Sequence, residues 1–251
     1  MPLDDFVASR LHLIPDLSVA EQVANPALRE QVLQGSLDDR SYKAPAVSTS
    51  EEYIDGPIGP FRVRIYRPDT ESVRPALVWS HGGGFIGGSV DMHEGDLVCR
   101  EICGRARAPV VSVDYHVANG STVTYPSLHR EHLAGFQWTR DNAGALGVDP
   151  EHITIGGASS GASLTMSASL EMTRTGIRQP ARLILAYPAA HPRLPEDQEL
   201  LAKTATLPAG ARFSQTDLDL SSANTVETEL TCVTPMRNST TLAVCRRVSS
   251  S

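Results

Sequence analysis

Short continuous apolar runs alternate along this chain with longer stretches whose apolar positions recur every three or four residues. Ala76-Leu77-Val78-Trp79 and Val110-Val111-Ser112-Val113 read as strands buried on both faces. Ile153-Thr154-Ile155 reads the same way, as does Leu183-Ile184-Leu185 within an expected strand over residues 182–186. Between these runs, residues 94–107 place Leu97, Val98, Ile102 and Ala106 on one side of a helix. Residues 127–143 read as a second helix, closed by the glycines at 144 and 147, and a third starts at Ser160 and runs to about Arg174. Earlier, Phe61, Val63 and Ile65 alternate with Arg62 and Arg64, predicting a strand with one buried and one wet face. The spacer Gly56-Pro57-Ile58-Gly59-Pro60 joins it to residues 48–54 as an antiparallel hairpin. Strands alternating with helices predict an α/β fold, a mostly parallel sheet with helices on both faces, whose ligands sit at the carboxyl ends of the strands.

The flanks differ from this core. Residues 3–36 read as helical, with Ser18 and Glu21 as a capping box, Val19, Val23, Leu28 and Val32 at helical spacing, an interruption at Pro26 and a stop at Gly35. Residues 191–213 are rich in proline and leucine and read as an insertion. Residues 221–251 hold 12 serines and threonines in 31 positions and lack a strand–helix–strand pattern. The expected organisation is one domain over 1–251: N-terminal helices at 1–45, a core at 46–190, an insertion at 191–222 and an atypical tail at 223–251.

Composition narrows the partners. At 251 residues one α/β domain is the natural unit, and 5% aromatic content implies an aliphatic core. A net charge of −7 argues against nucleic acid or an anionic membrane as partner. No apolar run approaches the length of a membrane span. Met1-Pro2-Leu3-Asp4-Asp5 has neither a basic nor an apolar leader segment, so a cytoplasmic location is expected. Cys99 and Cys103 lie one helical turn apart, and no cluster of histidines and cysteines completes a metal set. Free thiols, no metal and no cofactor are expected.

The chemistry concentrates at two glycine-rich turns. Gly157-Ala158-Ser159-Ser160-Gly161 fits G-x-S-x-G, in which a serine sits on a sharp strand-to-helix turn with its hydroxyl lifted above the sheet. The motif alone is weak, expected by chance in roughly one chain in seven at this composition. His81-Gly82-Gly83-Gly84 follows an apolar strand, and its chance expectation is only about three chains per thousand. The two occur in the order an acyl hydrolase needs. Ser159 is the candidate nucleophile, and the backbone amides of Gly83, Gly84 and Ser160 form a candidate oxyanion hole.

With these residues in place, the chain resembles the HGGG-type, hormone-sensitive-lipase-like esterases of the α/β-hydrolase fold. The resemblance is carried by residues 81–85, Gly87-Gly88-Ser89, residues 110–115, Tyr125-Pro126, Trp138, residues 146–150, the serine turn and Ala186-Tyr187-Pro188. It runs from about residue 1 to about residue 220. It implies N-terminal helices and a 191–222 insertion that cap the site, and a small-molecule ester of short to medium acyl chain as substrate. His116 and its neighbours depart from the family pattern, which usually carries arginine and an acidic residue there.

In that fold the order is serine, then acid, then histidine. Only His191 follows Ser159, next to Pro192 and too early in the topology. Asp197, Asp217 and Asp219 follow no credible seventh strand, and His93, His116, His129 and His132 precede the serine. The acid and the base are therefore not placed. Family members continue for several dozen residues more, so a truncated or frame-shifted product is expected. The sheet would then be incomplete at its C-terminal edge and prone to self-association there. The leading reading is a serine carboxylic-ester hydrolase. The alternative is a ligand-binding or catalytically defective derivative of the same fold, and a peptidase or amidase ranks third.

Overall fold

The computed structural model describes residues 4–25, 42–70, 72–191, 193–194, 197–223, 230–231 and 246–247. In chain order the elements begin with α1 (Asp5–Ala8), α2 (Val19–Ala24), β1 (Ser48–Ile54), β2 (Phe61–Arg67), β3 (Arg74–Ser80), α3 (His93–Ala106) and β4 (Val110–Asp114). They continue with α4 (Ser127–Asp141), α5 (Ala143–Leu146), β5 (Val148–Ala158), α6 (Ser160–Thr175), β6 (Arg182–Ala186), α7 (Gln198–Thr204) and α8 (Gln215–Ala223). A small pair, β7 (Leu230–Thr231) and β8 (Arg246–Arg247), runs antiparallel.

Six strands form one sheet in the order β1-β2-β4-β3-β5-β6. β1, β2 and β4 are joined antiparallel; β4, β3, β5 and β6 are parallel. The pleat sends alternate side chains to opposite faces. From β3, Ala76 and Val78 enter one apolar cluster with Val113, Ile155, Leu133 and Phe136 of α4, and Leu164 and Met172 of α6. Leu77 and Trp79 enter the other, with Cys99 and Cys103 of α3. The central strands are therefore continuously apolar because helices cover both faces. Both of these cysteines are buried free thiols, and burial pushes Cys99 up to about 12; Cys232 and Cys245 lie outside the described residues.

The expected wet face of β2 is instead a half-buried ion-pair network. Arg62 bonds Asp114 through Nε at 3.0 Å and also reaches Glu51 and Asp91, while Arg64 bonds Glu51 and Asp91. Such charges enter the structure only when paired. Arg64 also donates to the Val90 carbonyl at 2.8 Å, and the Val90 amide donates to Asp114 at 2.9 Å. The far end of the 81–90 loop is thus fastened to the sheet.

By contacts the chain divides into two compact units, Met1–Lys43 with His191–Ser222 and Ala44–Ala190 with Ala223–Ser251. In the first unit, the continuous helical reading of the N-terminal segment fails: α1 is one turn, Leu11–Leu13 is a 3₁₀ turn, and the chain is non-helical through Pro15 until α2. Proline has no N–H and disfavours helix in the residue before it. The Ser18–Glu21 capping box does form. Leu28, Val32, Pro26 and Gly35 lie outside the described residues. Asp217, fully buried, accepts from the Ala20 amide at 2.7 Å and from the Ser214 amide and hydroxyl.

Candidate active site

The serine turn is assembled by β5, α6 and the end of β6. Ser159 has φ 51 and ψ −117, a strained conformation for a residue with a Cβ, and such strain gathers at functional sites. Its amide is held by the Ala186 carbonyl at 2.9 Å, and its own carbonyl accepts from Ser163 at 3.1 Å. The flanking glycines are required by close approach. A Cβ on Gly157 would lie 2.4 Å from the Gly161 carbonyl carbon, and one on Gly161 would lie 2.2 Å from the Ser80 carbonyl oxygen. Ser159 itself is half-buried, and its hydroxyl has no hydrogen-bond partner among the described residues.

The second loop abuts this turn. A Cβ built on Gly82 would be 3.4 Å from the Ala158 carbonyl oxygen and 3.5 Å from the Ser159 Cβ, so a single methyl group would fill the space between the loop and the turn. Gly83, Gly84 and Phe85 all take positive φ, at 130, 61 and 67. Among the described residues the amides of Gly83, Gly84 and Ser160 donate to nothing. Unpaired amides in the loop that Gly82 brings up to the serine turn, and at the start of α6, suit a developing oxyanion.

Two aromatic rings set the loop. His81 stacks on Tyr115 with ring centroids 4.3 Å apart and an interplanar angle of 12°. The Tyr115 hydroxyl donates to the His81 carbonyl at 3.1 Å, leaving its oxygen to accept from Ser160 Oγ at 3.3 Å. Tyr115 therefore bridges the loop and the first residue of α6. The sequence reading missed this role because the three residues are far apart along the chain; the one signal was a tyrosine closing a buried apolar strand.

Three of the histidines before Ser159, His81, His116 and His129, are held by hydrogen bonds away from it. His116 donates from its amide and from Nδ1 to the buried Glu131 carboxylate, at 2.7 Å each. His81 Nδ1 donates to the Gly82 carbonyl at 2.6 Å, and His129 Nε2 to Glu171 at 2.5 Å. His81 Nε2 and His129 Nδ1 are buried without a hydrogen bond, the Asp114 carboxylate standing 3.8 Å from His81 Nε2, so both rings are neutral with a bare lone pair there. After Ser159, the exposed His191 follows β6, Asp197 caps α7, Asp217 caps α8 and Asp219 accepts from Gln215. No described histidine bonds Ser159.

These buried rings predict acid sensitivity. Desolvation lowers His81, His129 and His132 below the ordinary value, His132 down to about 3. Each takes up its proton readily only after unfolding, near pH 6.5. The unfolded chain then binds more protons, so the stability present above that pH is lost as it falls toward the folded values. Each ring contributes at most about 1.4 kcal/mol per pH unit. Glu131, raised by burial, acts in the opposite direction but is one group against three. Denaturant unfolding at pH 7.5 and pH 5 is expected to show a lower midpoint at pH 5; equal midpoints would refute the neutral buried rings.

Comparison with known proteins agrees with this architecture. A family profile described as the alpha/beta hydrolase fold matches residues 77–246. Esterase LipI of Mycobacterium tuberculosis is 35% identical over 123 residues, which are 48% of this chain and 37% of the relative. Ethyl acetate hydrolase of Pseudomonas putida is 32% identical over 130 residues, 50% of this chain and 40% of the relative. The match thus spans about two fifths of these relatives' length. A hyperthermophilic esterase from Pyrobaculum calidifontis superposes with a TM-score of 0.74 at 28% identity, covering 91% of this chain and 71% of that one.

Proposed function

The chain belongs to the α/β-hydrolase fold family, and from that premise we propose that it is a serine carboxylic-ester hydrolase acting on small esters of short to medium acyl chain. The observation that carries this reading is the approach of Gly82 to the strained Ser159 turn, with undonated amides at Gly83, Gly84 and Ser160. Ser159 Oγ attacks the ester carbonyl carbon and its proton leaves to a base. The carbonyl oxygen becomes an oxyanion in the Gly83, Gly84 and Ser160 amides. Collapse expels the alcohol and leaves an acyl-enzyme, which water releases. Among the described residues no imidazole takes the Ser159 proton. The second reading is a derivative that binds esters without turning them over.

A p-nitrophenyl ester of a short acid separates the two. Hydrolysis that falls roughly tenfold or more in Ser159→Ala is expected of the enzyme, whereas a rate about 10³–10⁴-fold above the uncatalysed one that Ser159→Ala leaves unchanged would report the oxyanion hole and binding alone. Acylation of Ser159 without turnover would establish the derivative instead. No helix among the described residues is long and apolar enough to cross a membrane.

We also propose that β6 pairs with a second copy of itself. Among the described residues it is hydrogen-bonded on one side only, by β5, and stands last in the sheet, with Ile184 44% and Leu185 38% exposed. An apolar open edge is a template for another strand. Sedimentation is expected to show dimers or larger species that Ile184→Lys returns toward monomer; a monomeric parent chain would refute this.

A further inference from the structure

We propose that His132 is a positioning residue that keeps the oxyanion loop and the nucleophile helix in register through a directed chain of hydrogen bonds. The proposal rests on the reading of Ser159 as nucleophile. Ser80, His132 and Thr165 are all fully buried and come from three elements, β3, α4 and α6. Ser80 Oγ lies 2.7 Å from His132 Nδ1, and Thr165 Oγ1 lies 3.3 Å from His132 Nε2. Thr165 Oγ1 also lies 2.9 Å from the Gly161 carbonyl oxygen.

The proton positions follow from the acceptors. The Gly161 carbonyl can only accept, so the Thr165 hydroxyl donates to it. The Thr165 oxygen must then accept from His132, which places that ring's proton on Nε2. His132 Nδ1 is left as a lone pair and accepts from the Ser80 hydroxyl. The chain therefore runs one way, from Ser80 to His132 to Thr165 to Gly161. Its first member directly precedes His81, where the oxyanion loop begins. Its last lies two residues beyond Ser159. At the same place the backbones of Gly161 and of Ser80 and His81 approach until no Cβ fits between them. The relay fixes from below the separation that the serine and the loop amides need above. Buried polar groups satisfied in this way favour one arrangement over near alternatives, because any shift leaves a donor unpaired.

The test is the rate at which a fluorophosphonate modifies Ser159. It is measured at increasing probe concentration in the parent chain, Ser80→Ala, Thr165→Val and the double variant. His132→Ala opens a cavity and risks misfolding; the other two keep the side-chain volume close to the original. The relay predicts a limiting rate lower by roughly tenfold or more, of the order a small misplacement causes. It also predicts an unchanged half-saturating concentration and a full labelled fraction. The double variant should be little slower than the slower single, because both break the same chain. Parent-like rates in folded variants would overturn the proposal. So would a smaller labelled fraction that reacts at the parent rate, because that pattern reports folding alone. A parent chain not labelled at Ser159 would overturn the nucleophile reading and this proposal together. A labelled parent with unaffected variants would overturn the relay only.

Discussion

Gly161→Ala is expected to destabilise the protein by roughly 3 kcal/mol or more, at or above the upper end of ordinary overpacking. The new Cβ would meet the Ser80 carbonyl oxygen at 2.2 Å, the His81 carbonyl oxygen at 2.5 Å and the Ser80 carbonyl carbon at 2.7 Å. All three are backbone atoms, so no side-chain rotation relieves the clash. The helix cannot retreat easily either. Ser159 is tied to Ala186 on β6, and β5 is paired on both sides. Helix propensity alone predicts the opposite sign, since alanine favours a helix by about 1 kcal/mol over glycine. Gly144 supplies the control: it lies in α5 with nothing within 4 Å of a built Cβ. Gly144→Ala is expected to be neutral or slightly stabilising. Denaturant midpoints at constant slope measure both. Equal behaviour of the two variants would mean that α6 does not press against β3.

Gly83→Ala is expected to lower ester turnover by about 10²–10³-fold, the usual cost of losing an oxyanion donor. A Cβ there would fall 2.0 Å from the Gly87 carbonyl oxygen, and φ of 130 is a conformation that side chains rarely adopt. The loop must therefore rearrange and carry the Gly83 and Gly84 amides with it. Gly83 is exposed, so the fold should survive. The loss should appear in kcat with little change in KM, because the amides act on the charge of the transition state. A Gly83→Ala enzyme within twofold of the parent would remove these amides from the mechanism.

What was legible in the sequence was local or periodic. The strands at β3, β4 and β5 announce themselves as apolar runs because helices bury both faces; β6 reads the same way in sequence, but the expected burial on both faces fails there, since it lies at the sheet edge with Ile184 and Leu185 exposed. The two glycine turns stand out because a Cβ would clash at Gly83, Gly157 and Gly161. What was not legible depends on partners distant in the chain. The Arg62 and Arg64 alternation looked like a solvated face, yet Asp91 and Asp114 arrive from two other segments to pair with them. The His132 relay joins residues 52 and 33 positions apart, and spacing alone marks none of them. The helical reading of the first segment weighed Val19 and Val23 but not Pro15, whose effect on the backbone is local and was open to inspection. The missing base is a different case: His191 follows Ser159 but stands too early in the topology, and no described histidine bonds Ser159.

The nucleophile is tested most directly by locating the adduct of a fluorophosphonate by peptide mass mapping of the folded chain. The expected result is one adduct on the peptide carrying Ser159, absent from Ser159→Ala and from the heat-unfolded protein. An adduct on another residue, or a folded chain that stays unmodified at high probe concentration, would contradict it.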